Sequence, residues 1–183
     1  MRARRIRLLA ITGAIGAALT ITVAGSAAIA AGDARGKNTQ RVQLSGYQED
    51  PGVISTLGRG QFRLDIDEQQ QEITYRLSYT VLTAPLTQAH IHFGGRSQSG
   101  GISAFLCSNL DTRPAGVQDC APAPGTITGT IRPADILGPA GQGIAAGELT
   151  ELIRAIRAGV AYVNIHSTAY PGGEIRAQLG HHH

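Results

Sequence analysis

GQFRLDIDEQQQEITYRLSY, residues 60–79, is the stretch whose reading decides the fold. Phe62, Leu64 and Ile66 alternate with Arg63 and Asp65. After the polar run Asp67-Glu68-Gln69-Gln70, a second run is expected over Ile73–Val81, where Ile73, Tyr75, Leu77 and Tyr79 alternate with Thr74, Arg76 and Ser78. Successive side chains of a strand point to opposite faces, so this pattern predicts two half-buried antiparallel strands joined by a hairpin turn. Working outward, strand-like runs recur at Arg41–Tyr47, Gln88–Phe93, Gly101–Cys107, Gly125–Ile131, Val160–Ser167 and Gly173–Leu179, the last two joined by Ala169-Tyr170-Pro171-Gly172. One segment changes period. Leu149, Leu152, Ile153 and Ile156 follow the i, i+3, i+4, i+7 spacing of an apolar helical stripe, which places a helix over about 147–158. Glu148 and Glu151 near its start and Arg154 and Arg157 near its end suit the helix dipole, and Gly159 stands where a C-terminal glycine cap belongs. The expected fold is mainly β: an antiparallel β-sandwich or barrel with one crossover α-helix. No internal repeat is visible.

The ends of the chain read differently. Arg2, Arg4, Arg5 and Arg7 precede an uncharged run from Leu8 to Ala31, and Ala28-Ile29-Ala30 supplies small residues before a cleavage point. Residues 1–30 are therefore expected to be a signal peptide and 31–39 a flexible lead-in. An uncleaved membrane anchor is the alternative, since the run is long enough to span a bilayer, but its Gly, Ala and Thr content and the small-residue site favour cleavage. With no Cys after the cleavage point, the leader does not fit a lipoprotein. The Arg4-Arg5 pair suits twin-arginine export, although Arg7 occupies a position where that signal wants a bulky apolar residue. His181, His182 and His183 read as the stub of a purification tag.

Charge and cysteine usage narrow the class. The chain has 16 Lys+Arg against 13 Asp+Glu, but four of the basic residues lie in the leader, so 12 against 13 remain. With no Trp and no basic cluster, nucleic-acid binding is not expected. About 150 residues beyond the leader suffice for one domain with a full core. In an exported chain Cys107 and Cys120 are expected to form a disulfide, which stabilises by about 3 kcal/mol through the unfolded state. Metal ligation by the thiols is the alternative. Localisation is then secreted, periplasmic or at the cell envelope, with no stable membrane span after cleavage.

Three histidines remain in the body of the chain: His90 and His92 in Ala-His-Ile-His-Phe, and His166 in Tyr-Val-Asn-Ile-His-Ser. Spacing of two on a strand presents His90 and His92 side by side, opposite the apolar face of Ala89, Ile91 and Phe93, and so on the wetter side. On the later strand His166 shares a face with Asn164 and Tyr162. On the last strand Glu174, Arg176 and Gln178 share a polar face. Were these strands neighbours, one wall would carry three imidazoles as metal ligands with Asn164, Glu174, Tyr162 and Arg176 around them.

The strings Ile73–Tyr79, Ala89–Gly94, Gly125–Gly129, Ala158–Ser167 and Pro171–Gln178, with Glu49 and Pro51 ahead of them, resemble the CHRD domain, first described in chordin and widespread in exported bacterial proteins. The resemblance spans roughly residues 42–180, within an expected domain of 40–180. Ala177 departs from it where the family usually has Gly. It implies a β-rich extracytoplasmic module. It fixes no activity, because function belongs to sites and not to folds.

The expected function therefore rests on the histidines. Three imidazoles suit copper or zinc and do not suit calcium. Copper comes first, because an exported compartment and a His-only shell allow redox cycling. The pattern is similar to that of copper-zinc superoxide dismutase, whose bimetallic form needs more histidines than this chain has, and to that of carbonic anhydrase. A superoxide dismutase-like oxidoreductase acting on a small-molecule substrate is one expectation, with no catalytic residue assigned beyond the metal set. The competing ones are a metal carrier or storage protein and a non-catalytic extracellular interaction module with structural histidines. No protein partner is named by the sequence. A serine hydrolase has no G-x-S-x-G elbow here, and the Gly94–Gly101 loop leads into no helix that would bind phosphate.

Overall fold

The computed structural model describes residues 38–180. The segment expected to be a signal peptide, most of the expected lead-in and the terminal histidine triplet lie outside the described residues. Eight strands follow in chain order: β1 (Thr39–Ser45), β2 (Arg59–Asp67), β3 (Glu72–Tyr79), β4 (Leu86–Phe93), β5 (Gly101–Ser108), β6 (Gly125–Ile131), β7 (Ala161–Ser167) and β8 (Ile175–Leu179). Between β6 and β7 lies one α-helix, α1 (Leu149–Arg157). All eight strands pair antiparallel in a single sheet of order β5-β4-β7-β8-β1-β2-β3-β6. The fold is a nearly closed barrel, as the alternation implies. Its two edge strands are bridged by Gln118, whose Nε2 donates to Leu106 O of β5 (3.0 Å) and Thr128 O of β6 (3.1 Å).

Period-two alternation becomes one filled interior. Phe62, Leu64, Ile73, Leu77, Ile91, Val163 and Ile165 are fully buried in it. Leu149, Leu152, Ile153 and Ile156, the predicted helical stripe, are buried with them. Gly159 holds φ +72° just after α1, a left-handed conformation that glycine adopts without steric cost. Across the surface Arg157 pairs with Glu68 of the β2–β3 turn (2.5 Å).

Most strand ends shift by one or two residues from expectation, and three of the shifts expose or release a residue. β1 stops at Ser45, where Gly46–Gln48 form a 3-10 turn and Tyr47 turns out to solvent. β3 stops at Tyr79, leaving Val81 exposed. β8 begins at Ile175, two residues later than the polar alternation suggested. Cys107 and Cys120 are joined as a disulfide across the loop after β5, with Asn109 Nδ2 donating to the Cys120 carbonyl (3.3 Å). Among the described residues, no helix is long and apolar enough to cross a membrane.

Candidate metal centre

β4, β7 and β8 lie side by side, and their register assembles the polar wall. His90 pairs with Asn164 and His92 with Tyr162 across β4 and β7, while Gln88 pairs with His166. On the other side of β7, Asn164 pairs with Arg176 and Tyr162 with Gln178. Register shifts between β4 and β5 fall beside His90 and His92, where a bulge re-aims side chains.

The wall is not wet. His90 is 0% exposed, His92 7% and His166 6%, and Asn164, Arg176 and Gln178 are equally enclosed. Alternation correctly put these residues opposite the apolar core, but it could not reveal what lies over them. The segment between β4 and β5 folds across the wall and gives its carbonyls to it. Arg176 Nη2 donates to Gly95 O (2.7 Å) and Gln98 O (3.2 Å), and Gln178 Nε2 donates to Gly94 O (2.9 Å). Ser99 Oγ donates to the Asp50 carboxylate (2.9 Å), fastening that segment to the turn after β1.

The same cover fixes the rings. His92 Nδ1 lies 2.9 Å from Gly100 O and His166 Nδ1 lies 2.8 Å from Pro171 O. A carbonyl only accepts, so both Nδ1 atoms carry hydrogen, and in the neutral rings both Nε2 atoms carry lone pairs. His90 Nδ1 lies 3.1 Å from His166 Nε2, which makes it the donor to that lone pair and leaves His90 Nε2 unprotonated as well. His90 Nε2 and His92 Nε2 are buried with no hydrogen-bond partner. One ring nitrogen from each of the three lies within 4.8 Å of those from the other two. Three nitrogens at 2.0–2.1 Å from a tetrahedral ion are about 3.4 Å apart, so side-chain rotations of an ångström or so close the set.

Electrostatics agree with lone pairs held ready. Burial pushes the His90 imidazole down to about 2, with His166 and His92 adding repulsion. Burial likewise takes His92 to about 4, against the opposing hydrogen bond to Gly100, and it lowers His166. Neutral imidazole is the metal-binding form.

Around the rings, Tyr162 stacks on His92 at 4.7 Å between centroids and 3° between planes. Its hydroxyl accepts from Gly100 N (3.1 Å), so one glycine serves both partners. The Arg176 guanidinium lies 3.5 Å over the Tyr162 ring, and its charge adds to the lowering of the His92 pKa. Asn164 Oδ1 lies 3.0 Å from His166 Nε2. Glu174 is placed elsewhere. Its Oε1 accepts from Thr56 Oγ1 (2.8 Å) and Thr83 N (2.7 Å), and although burial raises its pKa, hydrogen bonds from Ser167, Thr83 and Thr56 outweigh that and lower it. The register puts Glu174 beside His166, but neighbouring loops supply hydroxyl and amide donors that capture the carboxylate first.

Two neighbours escaped the sequence reading. Phe105 packs edge-on against His90, 4.3 Å between centroids, from a strand whose bulged register no alternation pattern discloses. Glu49, 8% exposed, lies under the wall's far end; its only sequence signal was its place ahead of Pro51 in the resembling strings.

The three rings are buried together, with the Nε2 atoms of His90 and His92 unpartnered, and could hold a metal ion. No curated protein and no solved structure gives a significant match to the chain. The CHRD domain family, in contrast, matches over residues 40–179, from β1 to the end of β8 and including all three histidines, and the chain belongs to that family.

Proposed function

We propose that this protein is an exported CHRD-domain metalloprotein holding one copper ion, or failing that zinc, on His90, His92 and His166. The observation that carries the reading is the pair of buried, partnerless Nε2 atoms on His90 and His92 beside His166. Leaving a buried polar atom unpaired costs about 1–3 kcal/mol, so two in adjoining rings, 5.3 Å apart between centroids, favour a ligand to be bound there. Export is supported by the disulfide and by the extracellular character of the family.

Copper on an all-imidazole set supplies one-electron redox chemistry, which makes superoxide dismutation the first reaction to assay, ahead of metal-activated water chemistry. The protein's own part is orientation. Gly100 and Pro171 fix the tautomers of His92 and His166, Tyr162 holds the His92 plane, and Asn164 sits against His166, with Arg176 over the Tyr162 ring. A second reading, metal storage or delivery without turnover, is favoured by the complete burial of His90.

The test is metal content and superoxide consumption of the full chain carrying His181→Ala, His182→Ala and His183→Ala, because a terminal triplet binds copper by itself. One metal per chain, abolished by His92→Ala, supports the site. Activity separates the redox enzyme from the carrier. A protein that binds neither copper nor zinc refutes both and leaves an extracellular interaction module.

A further inference from the structure

The outer face of β4, β7 and β8 is covered by the segment after β4, but the outer face of β1, β2, β3 and β6 is bare. Register sets the side chains of that bare face in rows across the four strands. Arg41 stands directly opposite Arg63, Arg63 opposite Arg76, and Arg76 opposite Thr128. The row on one side is Gln43, Gln61, Ser78 and Thr126, and the row on the other is Thr39, Asp65, Thr74 and Thr130. No basic run marks this in the sequence, because the three arginines come one from each of β1, β2 and β3. All three are exposed, as are Gln43, Gln61, Thr126 and Thr128.

Like charges directly opposite one another destabilise a sheet, and a merely solvated face has no need of them. Neutralisation within the face is partial. Arg63 is taken by Asp65, with Nε donating to Oδ2 (3.0 Å) and Nη2 to Oδ1 (3.1 Å). Arg41 and Arg76, on either side of that pair, have no carboxylate partner among the described residues. Beyond the glutamine row Arg59 adds a further positive charge, its Nη1 donating to the carbonyls of Thr56 (3.1 Å) and Gly58 (2.6 Å). Beside it lies a shallow depression of about 560 Å³, lined by Gln43, Gln61, Ser78, Thr80 and Thr126.

The chemistry of the face selects its partner. Permanently charged guanidinium groups take anions, and Gln, Ser and Thr side chains exchange hydrogen bonds with hydroxyl groups. No aliphatic or aromatic residue stands in these three rows. The face therefore offers nothing on which a base can stack, nothing to insert among lipid chains and no apolar centre for a protein interface. A hydrophilic, extended polyanion is what fits. We propose that the β1–β2–β3–β6 face binds an acidic polysaccharide, with its carboxylate or sulfate groups on Arg41 and Arg76 and its hydroxyl groups on the row from Gln43 to Thr126. This face is separate from the histidines of β4 and β7, and its binding needs no metal.

Calorimetric titration of heparin (sulfated) and of polygalacturonate (carboxylated) into the full chain tests this, with the terminal triplet replaced by alanine and chelator present. Salt-dependent binding of either, with none of neutral dextran, is expected, and the tighter of the two identifies the anion. Arg41→Gln with Arg76→Gln, at exposed positions where repulsion is relieved, should weaken binding about tenfold and flatten its salt dependence. Arg113→Gln with Arg154→Gln removes the same charge outside the face and should change affinity less than about twofold. Equal weakening by the two pairs, or no binding of either polysaccharide, overturns the proposal. Tighter binding of duplex DNA or of phosphatidylglycerol vesicles than of both polysaccharides overturns it as well.

Discussion

Acid sensitivity of the metal-free protein should be set by two opposing sets of buried groups, and removing one should expose the other. His90 and His92 have folded-state pKa values near 2 and 4 against 6.5 when unfolded. Below 6.5 the unfolded chain binds protons that the fold refuses, so stability falls as pH falls, by about 1.4 kcal/mol per pH unit and group. From about pH 7 to about pH 5 each histidine costs about 2 kcal/mol, or about 4 together, and His166, lowered too, adds to this. Glu49 runs the other way. Its folded value near 8 exceeds the ordinary 4.5, so its contribution is fully present below 4.5 and is lost as pH rises through 8. Over the same interval it returns about 2.5 kcal/mol on acidification. Asp65, Glu68 and Glu174 are lowered from already acidic values and stay ionised throughout. Urea unfolding of the chelator-treated protein should thus show a shallow loss between about pH 7 and about pH 5, about 1.5 kcal/mol plus the His166 share. Glu49→Gln, which keeps the shape and cannot ionise, should show a loss steeper by about 2.5 kcal/mol. Parallel pH profiles for the two proteins would refute the buried, unpaired state of Glu49 on which the calculation depends.

Asn164→Ala removes the contact to His166 Nε2 and should weaken zinc binding about 10- to 100-fold in competition with a chromophoric chelator, with unchanged affinity contradicting its orienting role. Gly173→Ala puts a Cβ within 3 Å of Glu49 and Asn164 at a strained φ, and should cost about 1–3 kcal/mol by urea unfolding while also weakening zinc binding. Replacing Cys107 and Cys120 by alanine opens a loop with a sequence separation of 13 and should cost about 3 kcal/mol by the same assay, without changing metal stoichiometry, because the disulfide is not part of the polar wall. Leu77→Ala, at a fully buried position of β3, should lower stability by about 2–5 kcal/mol and likewise leave stoichiometry alone.

The fold was readable wherever one face of a strand was apolar. Phe62, Leu64 and Ile66 against Arg63 and Asp65 express a physical alternation that leaves little choice of class, and α1 was as clear because its stripe has the other period. His90, His92 and His166 could be placed on a common face because β4 and β7 are neighbours and parity does the rest. What parity cannot encode is cover. The burial of that face, the capture of Glu174 by Thr56 and Thr83, the edge contact of Phe105 and the approach of Glu49 all depend on segments far apart in sequence. Strand ends failed for a related reason: Tyr47 and Val81 continue the local pattern but meet no partner strand.

Why a polar sheet face should be buried at all follows from its hydrogen-bond balance. The covering segment brings carbonyl acceptors at Gly94, Gly95, Gln98 and Gly100, and the wall answers with donors from Gln178, Arg176 and His92. Those exchanges satisfy the backbone, which is what permits a loop to lie over the face without water. They also consume the donors. Left over around the wall are His90 Nε2, His92 Nε2, Glu49 Oε1 and Gln178 Oε1, all of them acceptor sites. A buried excess of lone pairs calls for positive charge, and the groups divide in how they can receive it. Glu49, with its pKa raised, takes a proton near neutrality; the imidazoles, with theirs driven down to about 2 and 4, refuse one. The species that meets an excess of imidazole lone pairs without bringing a proton is a metal cation.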